Sequence, residues 1–116
     1  MGRLTTHVLD TASGKPAAGL AVALFCLAGG NRTTILNTIT NNDGRVEDPL
    51  LAENTFKAGI YELEFKAGDY FRSQGVELSD PAFLDEIVLR FGLAEDNHYH
   101  VPLLVSPYSY STYRGS

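Results

Sequence analysis

Short apolar bursts separated by turn residues set the rhythm of this chain. Residues 3–9 alternate Leu4, Thr6 and Val8 against Thr5, His7 and Leu9, which predicts a strand rich in β-branched side chains. It ends near Asp10, because Gly14, Pro16 and Gly19 punctuate the stretch that follows as a loop. Leu20 to Leu27 is an apolar run bounded by Gly19 and by Gly29-Gly30, and its length and flanks favour a buried strand over a helix segment. Residues 31–40 place three Ile/Leu positions among four threonines. Asn41-Asn42-Asp43-Gly44 is a turn signature, since Asn and Gly tolerate positive φ, so Arg45 leaves a turn. Pro49 interrupts 45–51 and predicts an edge strand or loop there. Residues 57–66 set Ile60 and Glu62 opposite Tyr61, Leu63 and Phe65, the pattern of a half-buried antiparallel strand.

The second half adds one brief helix, expected over 69–74 with Asp69 as N-cap and Gly75 at the C′ position. Residues 81–86 allow a further helical turn, after which Ile87-Val88 and Leu89-Arg90-Phe91 return to a strand pattern. A turn at 94–97 leads into a strand over 98–105 that must tolerate Pro102 at an edge or irregularity. Ser106-Pro107 breaks it, and 108–113 forms a last strand. Seven or eight short strands with turn chemistry between them predict an all-β fold, a two-sheet β-sandwich. The 116 residues suffice for one domain, 1–116, with a single core and no staples.

Composition narrows the partners. Hydrophobic residues make up 44% and charged ones 20%, as in a soluble globular domain, and no apolar run approaches the ~20 residues of a membrane span. A net charge of -5 without a Lys/Arg-rich run argues against nucleic acid. The lone Cys26, flanked by Leu24, Phe25 and Leu27, excludes an intramolecular disulfide and reads as a small buried hydrophobe. No apolar region follows Arg3 as in a secretory signal, so the expected location is cytoplasmic.

Candidate chemistry concentrates near the end of the chain. On a strand, His98 and His100 point to one face about 6.6 Å apart along the chain. Such a pair can ligate zinc, but no Asp, Glu or Cys is placed to make a recognisable third ligand, and solvated strand histidines are the plainer alternative. Taken singly, His7 reads as a surface residue, Arg45 as solvated or paired with Glu47 or Asp48, and Tyr108, Tyr110 and Tyr113 as half-buried strand residues. No serine lies in a nucleophile-elbow context.

Jointly they read differently. Thr6-His7-Val8-Leu9-Asp10, the turn Asn42-Asp43-Gly44-Arg45, the segment His98-Tyr99-His100-Val101-Pro102-Leu103 and the terminal Tyr113-Arg114-Gly115-Ser116 occur in this order over essentially the whole chain. In these motifs the sequence resembles the 5-hydroxyisourate hydrolases of the transthyretin-related family. The run 106–112, Ser-Pro-Tyr-Ser-Tyr-Ser-Thr, also resembles transthyretin itself, a hormone carrier that has lysine at the position of His7 and threonine at that of His100 and lacks the terminal Tyr-Arg-Gly-Ser.

The resemblance implies an eight-stranded sandwich with one short helix, assembled as a homotetramer, a dimer of dimers with active sites at the dimer–dimer interface. It implies hydrolysis of 5-hydroxyisourate in urate breakdown, with His7, Arg45, His100 and Ser116 catalytic and no metal or other cofactor. His7, Arg45, His98 and Tyr113 would bind the small-molecule substrate. A non-catalytic, transthyretin-like small-molecule binding protein is the alternative.

Overall fold

The alternating segments become nine strands, one α-helix and a single 3-10 turn (Glu53–Thr55) within residues 2–115, which the computed structural model describes. They are β1 (Arg3–Asp10), β2 (Lys15–Pro16), β3 (Ala21–Ala28), β4 (Asn31–Ile39), β5 (Leu51–Ala52), β6 (Gly59–Lys66), α1 (Ala67–Ser73), β7 (Glu86–Leu93), β8 (His98–Ser106) and β9 (Ser109–Thr112). One sheet runs β2-β1-β8-β9 with β5 also on β1, and the other runs β4-β3-β6-β7. All neighbours pair antiparallel except β1 and β8, which are parallel.

The inward faces meet in one apolar cluster. Leu4 and Val8 of β1, Leu24 of β3, Leu63 and Phe65 of β6, and Leu103 and Val105 of β8 are wholly buried. The expected all-β sandwich is the observed one, and β2 and β5 are two-residue strands on the free edge of β1. On the outer face of β6, Glu62 is buried by its neighbours, because Arg32 and Arg90 each bond one of its carboxylate oxygens, at 3.0 and 2.9 Å. The bond from Arg90 is the chief reason its carboxyl is held below the usual range.

Three local expectations are corrected. The helix begins at Ala67 rather than Asp69, directly from the end of β6, and Lys66 occupies the N-cap without a side-chain bond. Burial of Ala67 and Gly68, and the bond from the Gly68 N–H to the Asp85 carbonyl at 2.9 Å, set this start in place of a cap. Asp69 lies in the first turn and pairs with Arg72. Residues 81–85 form no helix.

Pro102 lies inside β8, between β1 and the tail of the chain. His100 exchanges both backbone bonds with Gly115, so strand alternation turns the Pro102 nitrogen to the same side. The β8–β9 ladder begins at Leu103 opposite Thr112, and the donor that Pro102 lacks falls in the gap between that ladder and the His100–Gly115 bridge. The Thr112 hydroxyl donates to the Pro102 carbonyl at 2.7 Å and closes part of this gap.

Asp10 ties the helix to the sheet. Its Oδ1 accepts the N–H groups of Ala12 and Ser13, and its Oδ2 accepts the Tyr70 hydroxyl at 2.9 Å in a buried setting. Burial, reinforced by the bond to Asp10, pushes the Tyr70 phenol up to about 12. Tyr70→Phe leaves Asp10 Oδ2 buried without its donor, which costs about 1 to 3 kcal/mol. Urea unfolding should show a lowered midpoint; an unchanged midpoint would mean that the tether contributes nothing.

Candidate active site

The parallel register sets Arg3 opposite His98, Thr5 opposite His100 and His7 opposite Pro102. Side chains alternate across a strand, so odd positions of β1 and even positions of β8 share one face. Leu4, Thr6, Val8, Tyr99, Val101 and Leu103 fill the opposite face and are buried. Neighbouring strands lie about 4.8 Å apart, which puts Thr5 directly beside His100, with His7 diagonal to His100 and His98 diagonal to Thr5.

Hydrogen bonds join all four. His7 Nδ1 and His100 Nε2 are 2.6 Å apart, and the two rings lie nearly parallel, 16° apart, with centroids separated by 4.8 Å. The Thr5 hydroxyl bonds His100 Nδ1 at 2.7 Å and His98 Nε2 at 3.0 Å. Both ring nitrogens of His100 are thereby engaged. His7 Nε2 makes no hydrogen bond among the described residues and faces a groove of about 480 Å³ that Arg45, Glu47 and His98 also line.

Arg45 arrives on the other side of β1. The Asn41 side-chain oxygen accepts the backbone N–H groups of Asp43 and Arg45, while the Asn41 N–H donates to the Arg45 carbonyl at 2.7 Å. Gly44 has φ +72°, and a Cβ there would meet the Val8 carbonyl oxygen at 2.5 Å. Only glycine lets this turn approach β1 so closely. The Val8 N–H donates to the Gly44 carbonyl at 2.8 Å, and Arg45 bridges to His7. Among the described residues Arg45 is in no ion pair, since Glu47 accepts from Asn41 instead.

Burial and a nearby positive charge govern the imidazoles. Burial first, then His7, Arg45 and His98, lower His100 to about 4. Burial and then Arg45 lower His7 as well. Both shifts favour the neutral rings near pH 7, and their mutual N–H···N bond rules out protonation of both at once, because one of the facing nitrogens must offer a lone pair. The arrangement is a pair able to accept a proton beside an exposed guanidinium able to stabilise an anion.

The tail reaches the same strand. A Cβ on Gly115 would lie 3.1 Å from both Cβ and Cδ2 of His100, so glycine allows the chain to pass close beside that ring. Ser116, expected to be catalytic, lies outside the described residues. Tyr113 is 59% exposed and lines a different, more apolar groove of about 440 Å³ with Tyr99, Val101, Tyr110 and Arg114, whose guanidinium lies 4.3 Å over the Tyr99 ring. One chain thus brings together His7, Arg45, His98 and His100, and holds Tyr113 apart from them.

Thr5 was not singled out by sequence. Its signal was the hydroxyl two residues before His7, on the same face of the same strand. Among the described residues no group of three or more His, Cys, Asp or Glu side chains converges as a metal site needs.

Comparison with known proteins bears on the chain as a whole. Residues 4–115 match the model of the HIUase/Transthyretin family. A 5-hydroxyisourate hydrolase of Mesorhizobium japonicum is 64% identical over 115 residues, covering 99% of this chain and 93% of that protein. The structure of Klebsiella pneumoniae 5-hydroxyisourate hydrolase superposes with a TM-score of 0.83 at 35% identity, over all of both chains. Sea bream transthyretin, in complex with thyroxine, gives 0.86 at 30% identity, over 97% of this chain and 94% of that one. With a family match over residues 4–115 and a relative 64% identical over nearly its whole length, this chain belongs to the HIUase/Transthyretin family.

Proposed function

We propose that this protein hydrolyses 5-hydroxyisourate to 2-oxo-4-hydroxy-4-carboxy-5-ureidoimidazoline, a step of urate breakdown. The observation that carries the reading is the neutral, hydrogen-bonded His7–His100 pair beside Arg45. The 64% identical relative named for that activity supports it. Opening the six-membered ring needs a base for water, stabilisation of an oxyanion and a proton for the departing nitrogen.

His7 takes the water proton, because its Nε2 faces the groove while both nitrogens of His100 are engaged. His100 is the second member of the acid–base pair. Arg45 lies over the attacked carbonyl and favours the oxyanion by about 3 to 4 kcal/mol. His98 lines the substrate pocket. Ser116, through its hydroxyl, orients the histidines, and the close approach of Gly115 to His100 supports this role. The reaction needs no metal or other cofactor, since the base, the acid and the oxyanion donor are all side chains.

The working unit in this reading is one domain, 1–116, in a homotetramer, a dimer of dimers. Assembly supplies Tyr113 to the substrate. A cytoplasmic location belongs to the same reading, and the free thiol of Cys26 suits a reducing compartment. Among the described residues no helix is long and apolar enough to cross a membrane.

The likeness to thyroxine-bound transthyretin favours a second reading, a carrier without catalysis. Freshly generated 5-hydroxyisourate separates the two. Its ultraviolet absorbance should decay faster with the protein than spontaneously, and His7→Asn or His100→Asn should lower kcat about 100-fold or more with the fold retained. Decay at the spontaneous rate would support the carrier instead.

The pH profile tests the electrostatics. A base with lowered pKa stays neutral to lower pH, so kcat/KM should hold from pH 7 down past the ordinary histidine value of about 6.5 before it falls. The two rings titrate as a coupled pair on this limb. Arg45→Gln removes one cause of the lowering while burial remains, so the acidic limb should move part of the way up and kcat/KM should drop about 100-fold. An unmoved limb would show that the guanidinium does not act on the pair.

A further inference from the structure

We propose that the Thr5 hydroxyl is a proton-relay residue linking His100 to His98, making the exposed His98 the proton outlet of the His7–His100 pair. The geometry carries this. The chain of contacts runs from His7 Nδ1 to His100 Nε2 at 2.6 Å, from His100 Nδ1 to Thr5 Oγ1 at 2.7 Å, and from Thr5 Oγ1 to His98 Nε2 at 3.0 Å. His98 is exposed, while His7 and His100 are half-buried, so the chain leads from the sheltered part of the groove to solvent.

A single hydroxyl between two imidazoles fixes the polarity of the whole chain. It has one proton to give, so it donates to one ring and accepts from the other. Two fully bonded neutral arrangements follow. In the first, His7 Nδ1–H donates to His100, His100 Nδ1–H donates to Thr5, and Thr5 donates to His98. This arrangement leaves His7 Nε2 bare toward the groove and a proton on His98 Nδ1. In the second every donor is reversed, His7 Nε2 carries a proton, and His98 Nδ1 is bare.

Conversion of the first arrangement into the second accounts for water activation without charging any ring. The water proton goes to His7 Nε2, each link passes one proton along, and the His98 Nδ1 proton leaves to solvent. The hydroxide left behind bonds to the carbonyl carbon and gives the tetrahedral anion. When that anion collapses, the C–N bond breaks and the departing nitrogen takes the proton from His7 Nε2. As that proton departs, each link passes one proton back toward His7 and one proton enters from solvent at His98 Nδ1, which restores the first arrangement without leaving an imidazolate. One proton leaves and one returns per turnover. The scheme suits a pair whose burial and neighbouring Arg45 oppose a positive charge, since no imidazolium forms at any stage.

Thr5 acts through the histidines and is a positioning and relay residue for them. The inference rests on the hydrolase reading, and wild-type turnover of 5-hydroxyisourate tests that reading separately. Thr5→Val keeps the β-branched shape on β1 and removes the hydroxyl. It should lower kcat about tenfold or more, leave KM within about threefold, and be restored by added imidazole, a mobile proton carrier that does not alter the wild type. Thr5→Ser should retain most of kcat. His98→Gln gives the same imidazole-restored loss through a different residue, and it decides the matter if Thr5→Val does not fold. Wild-type kcat in Thr5→Val or His98→Gln, or a loss that imidazole does not restore, would overturn the relay and leave Thr5 as a packing residue. Absence of turnover by the wild type would instead overturn the hydrolase reading.

Discussion

Everything at the candidate site depends on how β1 lies against β8. Their parallel register places Thr5 beside His100 and sets His7 and His98 on the diagonals, and a slip of one residue would turn one strand's polar set toward the core. The opposite face prevents that slip. Leu4, Val8, Leu103 and Val105 are wholly buried between the sheets, each side chain contributing about 1.5 to 3 kcal/mol of burial. The apolar core thus aligns a polar constellation that has little cohesion of its own. The same alternation of side chains makes the sandwich and its chemistry two faces of one pairing.

Electrostatics then decides what the constellation does. Two imidazolium charges about 4 Å apart would repel by about 1 kcal/mol in water and about 4 kcal/mol near a protein surface. The observed 2.6 Å N···N contact excludes double protonation, and partial burial with Arg45 nearby disfavours single protonation too. Arg45 favours the neutral form of both histidines, and in the proposed reaction it also offers donors to an anion. Its position rests on a backbone device, the Asn41-anchored turn whose Gly44 passes against β1 where no other residue fits.

Much of the architecture was legible because it is local. The alternation over 3–9 and 57–66 marked β1 and β6, the glycine flanks marked β3, and Asn41 to Gly44 marked the turn before Arg45. The helix was found but shifted, since its start is set by burial of Ala67 and Gly68 and by the distant Asp85 carbonyl rather than by Asp69. Pro102 was expected at an edge or irregularity. It lies in an inner strand beside a ladder gap that depends on residues 112–115.

The site itself was legible only through motif resemblance. His98 and His100 share a face by spacing alone, but His7 meets His100 across 93 positions of sequence, in a parallel pairing that no local pattern encodes. Thr5 escaped notice for the same reason, because its two partners belong to another strand.

The central claim is that His7 and His100 form one neutral, coupled pair at physiological pH. Imidazole 15N NMR of the full chain, followed from pH 8 to pH 4, tests it directly. Both rings should show neutral shifts at pH 7, with coupled titration displaced below the ordinary histidine range and His100 protonating only near about 4. Independent titration of either ring at or above about 6.5 would contradict the account.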